Sequence, residues 1–365
     1  MKLKKIPVLL NTILSGLIII FLSNTIFAQN DSGNIPYKTI TIEGGAINAA
    51  DATIQEFIID KFPIISKKLV EKIVYSRSVQ KIASDTNEGV QVTSYNVDYK
   101  VPINFLLDTA KLLWELNIPE FRSHLYQIYN KDTIYIDTWN NVVGTAKNKT
   151  YTGYFNAYRV RNYPTWKDPE KGKENLPATP PGPNNPLGLF VVHYDENSLR
   201  YFHGTNKNHL LNTKMRSLSH GCVRNDNDNI AKMKEFIIKR VIKSADLSNW
   251  TDSKRSMIFE FAEIDKFPVR IIYKTFDVNK DDTGIYFELY DDIYHYKNRG
   301  NIDTKWNEES LITLSSEDNI VAEYQKKFGK NIPEETLRKI VRYVIDKTDN
   351  NEKYYLKDIE NLVSQ

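Results

Sequence analysis

The sequence predicts a mainly β domain flanked by α-helical segments, α+β overall. Between about residues 114 and 300 the apolar residues fall in short runs rich in β-branched and aromatic side chains, with turn-forming residues between them. On either side the apolar residues recur at helical spacing instead. A third observation, an apolar run behind three lysines at the N-terminus, points to export of the whole.

Residues 1–28 open that run. Lys2, Lys4 and Lys5 form a positive cluster, Ile6 to Phe27 is broken only by uncharged polar residues, and Ala28 is a small residue suited to cleavage. The pattern reads as a secretory signal, with a retained N-terminal membrane tether as the alternative. Either way the expectation is that the rest of the chain lies outside the cytoplasm. Cys222 is the sole cysteine, so no lipobox exists.

Residues 29–113 read as an accessory region. "TITIEGG" alternates like a strand and stops at Gly44-Gly45. Thr53 and Glu56 fit a capping box ahead of Ile54, Phe57 and Ile58. Ser66 fits the cap of a second helix carrying Leu69, Val70 and Ile73, and polar "ASDTNEG" ends the unit. "VPINFLLDTAKLLWELN" is expected to be partly helical and to cross the boundary near residue 114.

From 114 to 300, "HLYQIY", "TIYIDTW", "GYFNAYRV", "LGLFVVHY", "LRYFHG", "VRIIYKTF" and "GIYFELY" read as strands. One helix interrupts them, with Ile230, Met233, Ile237 and Val241 on one face. Pro164 to Gly188 is a long Pro/Gly-rich loop without periodicity, and loops of that length are functional or disordered. Beyond Gly300 a helical extension runs to residue 365, in which Pro333 suits a helix start and Leu337, Ile340, Val341 and Val344 form a stripe.

Charge excludes one class of partner. The formal net charge of +3 is carried by Lys2, Lys4 and Lys5, and the rest of the chain balances. With no basic cluster interleaved with aromatics, no nucleic-acid partner is expected.

The chemistry concentrates in "SHGCVRND", Ser219 to Asp226. A lone cysteine in an exported protein cannot form an intramolecular disulfide, so Cys222 is either an inert core residue or a free thiol with a task. Its neighbours Ser219, His220, Gly221 and Arg224 favour the reactive thiol. His220 lies two residues upstream and in an extended segment would share a face with Cys222. His203, nineteen residues upstream at a strand end, reaches the same place if its strand neighbours theirs. An imidazole that takes the thiol proton makes the sulfur a nucleophile. A helix start after the cysteine adds favourable potential. Uncrowded N–H groups around Gly221 offer an oxyanion hole, where one donor is worth ~2.7–4 kcal/mol. The competing reading is a zinc site on His203, His220 and Cys222, for which the sequence supplies no orienting carboxylate. His124, His193, His209 and His295 fall in no ligand-like spacing and read as surface or packing residues.

"HGT" (His203–Thr205) and "SHGCVR" (Ser219–Arg224), with fifteen residues between His203 and Ser219, resemble the L,D-transpeptidase catalytic domain, the YkuD-type fold. "GPNNPLG" (Gly182–Gly188) and Val269–Tyr294 are similar to that family's approach segment and the closing strands of its longer periplasmic members. The family commonly carries an apolar residue where this chain has Asn225. The resemblance implies a mixed β-sandwich-like domain over 114–300. Cys222 would attack the carbonyl of a diamino acid at position three of a peptidoglycan stem peptide. His203 or His220 would be the base, and the backbone of His220, Gly221 and Cys222 would shape the oxyanion hole. Ser219, Arg224, Gly204 and Thr205 would hold the site or bind substrate. No metal or cofactor is implied, and carbapenem-type β-lactams are the implied inhibitors. An amine acceptor gives a 3→3 cross-link and water gives a carboxypeptidase or wall-linkage hydrolase. An inactive wall-binding scaffold is the rival from another class, and the complete His203, His220 and Cys222 set argues against it. A papain-like endopeptidase would want its histidine far downstream of the cysteine.

Overall fold

The computed structural model describes residues 19–22, 35–87, 90–168 and 175–363. Most of the N-terminal segment read as a signal lies outside these residues. Its part Ile19–Leu22 is a short strand antiparallel to Tyr37–Gly44. Among the described residues no helix is long and apolar enough to cross a membrane.

The chain divides into two compact units, Met1–Asp108 and Thr109–Gln365. The first is an antiparallel sheet in which Val90–Pro102 pairs with both Tyr37–Gly44 and Ser78–Asn87. Two helices belong to it, Ile47–Lys61 and Lys67–Tyr75. The expected capping box is not there. The first helix starts at Ile47, and the Thr53 hydroxyl donates back to the Ala49 carbonyl from inside the helix (2.8 Å). Ser66 does cap the second helix, its Oγ accepting the Leu69 N–H at 3.3 Å. The polar stretch "ASDTNEG" runs largely inside a strand rather than ending the unit. Its partner supplies the apolar positions, with Val97, Tyr99 and Val101 buried at every second residue.

Two of the four sheets described in the second unit carry most of its strands. One has the order Val223–Arg224, Arg200–His203, Phe190–Asp195, Arg159–Asn162, Met257–Glu260. The other centres on Lys111–Asn117 and Phe267–Lys274, paired in parallel, with Arg122–Tyr129 and Asp132–Asn140 beyond. Lys111–Asn117 is strand where helix was expected in part. Six successive residues of it are buried, so it carries no alternation to reveal it. Trp114 stacks on Phe202 of the first sheet (centroids 3.9 Å), a contact worth ~0.5–1.5 kcal/mol beyond its area. Val160, Val192 and Val223 lie on the same core-facing side as Phe202 and are buried.

The helix after the cysteine spans Asn227–Phe236 and continues as one π turn through Ile237–Val241. Its expected face, Ile230, Met233, Ile237 and Val241, is buried. At the C-terminus the helices Glu317–Phe328 and Glu334–Lys347 pack on the hairpin Phe276–Lys280 and Ile285–Leu289. The last strand, Lys353–Tyr355, extends that hairpin. The stripe Leu337, Ile340, Val341 and Val344 is therefore core, and the second unit includes both the cysteine region and the C-terminal helices.

Candidate active site

Parallel pairing of Arg200–His203 with Val223–Arg224 builds the site, matching Phe202 with Val223 and His203 with Arg224. Directly paired residues share a face of a sheet. His203 and Arg224 therefore stand together on the face opposite the core. Cys222, one residue before the short strand, lies against Tyr201 on that side.

Cys222 is half-buried, with Sγ 3.8 Å from the Leu199 carbonyl. Burial pushes its thiol up. The Tyr201 N–H and hydroxyl and the Arg200 and Arg224 cations pull the other way without reversing it. His203 is buried, and its Nδ1 is 2.6 Å from the Gly204 carbonyl. With Nδ1–H donated there, the basic lone pair is on Nε2. Burial first, and then Arg224, push this imidazole down to about 3. At neutral pH the two groups are thus a thiol and a neutral imidazole. Among the described residues no hydrogen bond joins them, and such bonds often tighten only when substrate binds.

His220 is placed differently from the extended-segment reading. Gly221 has φ +109°, so His220 to Cys222 is a bend and His220 is exposed. That φ favours glycine, and a Cβ there would also displace the Arg200 guanidinium, whose Nε it would meet at 2.1 Å. Ser219 staples this bend. Its Oγ donates to the Cys222 carbonyl (2.5 Å) and accepts the Gly221 N–H (3.0 Å). The Gly221 N–H is therefore spent inside the loop. Helix assistance is also less direct than expected, because the helix starts at Asn227, capped by Asp226.

Gly204 and Thr205 are buried behind His203 rather than lining an open surface. Thr205 exchanges hydrogen bonds with the Asn227 side chain, its N–H donating at 3.1 Å and its carbonyl accepting at 2.7 Å. Gly188 packs on Gly204, where a Cβ would meet Gly204 Cα at 2.6 Å. "GPNNPLG" is thereby docked beside His203, whose ring also meets the Pro186 carbonyl. The long loop is organised by buried Asn185, which donates to the carbonyls of Pro164, Thr179 and Pro180.

Several site residues were not apparent from the motif. The Thr150 hydroxyl donates to the Gly221 carbonyl (2.8 Å), and the Arg200 guanidinium lies over the Tyr151 ring. Tyr201 sets its ring 5.8 Å from that of His203. Asn225, where an apolar residue is common in the resembling family, is fully buried. It accepts from Asn141 Nδ2 at 2.7 Å, and its N–H donates to the His203 carbonyl at 2.8 Å. Strand alternation around His203 signals Tyr201. The Thr150 and Asn141 contacts join segments some 70 and 84 residues apart, which no local pattern encodes.

The other histidines take varied places. His193 is on the same sheet face, held down to about 4 by burial, Arg159 and Arg161. His209 lines a polar cavity of about 410 Å³ with Trp139, Asn208, Asp226 and Asn229. His295 is exposed, and His124 lies in an ionic cluster taken up below. Among the described residues no three His, Cys, Asp or Glu side chains gather as a metal site.

In this mostly β unit a cysteine, one residue before a short strand, thus stands beside a buried histidine on the parallel neighbouring strand. Residues 116–242 match the L,D-transpeptidase catalytic domain, the YkuD family. The Escherichia coli (strain K12) protein "Probable L,D-transpeptidase ErfK/SrfK" is 29% identical over 140 residues, covering 36% of this chain and 43% of the relative. Its Salmonella typhimurium counterpart is 27% identical over 202 residues, covering 48% and 63%. The chain thus spans less than two thirds of these curated relatives. Among solved structures, an Enterococcus faecium L,D-transpeptidase is similar with 13% identity over 47% of this chain and 53% of that one, at a TM-score of 0.25. The helical cell shape determining protein Pgp2 from Campylobacter jejuni is similar with 11% identity over 70% and 68%, at a TM-score of 0.24.

Proposed function

We propose that this chain is an exported, periplasmic or wall-facing L,D-transpeptidase that acts on peptidoglycan stem peptides through Cys222. The observation that carries the reading is the shared face of Cys222, His203 and Arg224, with Nδ1 of His203 tied to the Gly204 carbonyl. In the first half-reaction Cys222 passes its proton to Nε2 of His203, and the sulfur adds to the stem carbonyl. The Cys222 N–H stabilises the oxyanion. The C–N bond then breaks, and the leaving D-residue amine takes the proton from His203. In the second half-reaction an acceptor amine attacks the thioester, loses its proton to His203, and the thiol is restored as the C–S bond breaks. A diamino-acid amine as acceptor gives a 3→3 cross-link.

Hydrolysis of the same thioester is the second reading, because half-buried Cys222 leaves the sulfur open to water. The test is intact mass of the purified protein incubated with a carbapenem, beside Cys222→Ala. One adduct on the wild type and none on the variant is expected, and no adduct on either overturns the thiol reading. Product masses from a stem tetrapeptide, with and without added amine, then separate transfer from hydrolysis.

A further inference from the structure

The face that carries Cys222 continues across the first sheet. Arg224 pairs with His203, His203 with Val191, and Val191 with Arg161. All four side chains therefore stand on one side, in one row. The neighbouring row runs from Tyr201 to His193, Arg159 and Glu260. Three arginines point from this face, and one of them differs from the other two. Arg159 is ion-paired with Glu260. Arg161 is half-buried, its Nε is cut off from solvent without an acceptor, and its guanidinium forms no ion pair among the described residues. Arg224, at the other end of the row, is likewise half-buried, and among the described residues its side chain meets no carboxylate.

An unpartnered guanidinium under partial burial is costly, because the charge loses hydration and gains nothing in exchange. Two of them flank the histidine, and three inter-strand steps of ~4.8 Å place their Cα atoms roughly 14 Å apart. A guanidinium offers a planar fork matched to a carboxylate.

We propose that Arg161 is a second carboxylate anchor, working with Arg224 so that the site selects peptides bearing two carboxylates, one beside the scissile bond and one further along the chain. The proposal rests on the transferase reading of Cys222 and adds the charge of the substrate to it. It makes Arg161 a specificity residue that touches substrate without taking part in bond making.

The test uses the full chain and two synthetic stem tetrapeptides that differ only in amidation of the carboxylate away from the scissile bond. On the acidic peptide, Arg161→Gln is expected to raise KM about tenfold or more with kcat little changed. On the amidated peptide it should do nothing, because the partner is already gone. Arg161→Lys should recover part of the loss, and Arg159→Gln should match the wild type. An equal KM increase on both peptides, or none on either, overturns the anchor. The same peptides titrated calorimetrically into Cys222→Ala read binding without chemistry. Arg161-dependent preference there, with no turnover by the wild type, keeps the anchor and sinks the transferase reading. Turnover indifferent to Arg161 and to amidation does the reverse. Failure of Cys222→Ala to prefer the acidic peptide also overturns the anchor.

Discussion

Two charged regions of the second unit obey opposite rules. On the sheet face beside Cys222 the cations Arg161 and Arg224 have no anion among the described residues. Around Glu120, beyond the end of Lys111–Asn117, Glu120, His124 and Arg122 each face an opposite charge, while buried Arg216 bonds only backbone carbonyls. Glu120 Oε2 meets His124 Nε2 at 2.9 Å and accepts from Asn117 Nδ2 at 3.2 Å. Arg122 lies 3.5 Å from Glu120 and 3.8 Å from Glu288, and the Tyr290 hydroxyl donates to Glu288 at 3.3 Å. The His124 ring is held from its other side by Thr138 Oγ1 at 3.0 Å. Burial alone disfavours both charged forms there. The Glu120–His124 attraction nevertheless holds the carboxyl below its usual range and the imidazole above its own. At the thiol face burial prevails, with the imidazole pushed down and the thiol pushed up. Charges completed within the chain stabilise it, whereas charges left incomplete await a ligand.

The largest effect tests the incomplete region. His203→Ala is expected to lower turnover of a stem peptide by ~10²–10⁴-fold, the usual contribution of a general base, with the fold intact by circular dichroism. Because the resting pair is neutral, iodoacetamide alkylation of wild-type Cys222 should climb with pH through the raised thiol pKa. An ion pair would instead give a plateau in the acid range. A plateau between pH 5 and 7 would show that His203 and Cys222 are already charged, and the contrast between the regions would lose its main support.

The completed region should answer in stability rather than rate. Glu120→Gln removes the shared anion and leaves His124 and Arg122 facing a neutral amide. With Arg122 about a third exposed, the expected loss is about 2–3 kcal/mol in urea unfolding. Its pH dependence has a definite sign. The depressed Glu120 contributes stability above its unfolded value of ~4.3 and loses it as pH falls through the folded pKa. The raised His124 contributes fully below its unfolded value of ~6.5 and loses it as pH rises through its own folded pKa. The wild-type advantage over Glu120→Gln should therefore be greatest between ~4.3 and ~6.5 and shrink on both sides. A difference independent of pH would mean that packing, not charge, holds the cluster.

What could be read in the sequence follows the same division. Ser219 and Cys222 share one local bend that Gly221 marks, so their neighbourhood was legible, whereas His203 reaches it only through pairing of its strand with Val223–Arg224. The β-rich character from 114 to 300 was legible from alternation, except at Lys111–Asn117, where burial on both faces erased the pattern. The i/i+2 argument for His220 failed because it assumed extended backbone through a residue at φ +109°. Arg161 and the Glu120 cluster were invisible for a different reason. Each depends on contacts between distant segments, such as the pairing of Arg161 with Val191 or the approach of Arg122 to Glu288. Register is set by the whole core and not by neighbours in the chain.

The smallest expected effect comes from a third arrangement, in which Glu317 and Arg338, each about a quarter exposed, are paired with Asp318, Glu334 and Arg342, all more than half exposed. On the C-terminal helices Arg338 reaches Glu317, Asp318 and Glu334, and Arg342 reaches Glu317. By count of ion pairs this is the richest network described in the chain, and Glu317 is held near 2 by its bonds from Arg342 and Arg338. Water competes for every one of these groups, so pairing here replaces hydration instead of restoring what burial removed. Glu317→Gln should shift Tm by no more than about 2 °C, and salt should shrink even that. A loss as large as that of Glu120→Gln would mean that burial is not what separates the regions. The lack of a partner at Arg161 would then carry no functional weight, since an exposed pair would count as much as a buried one.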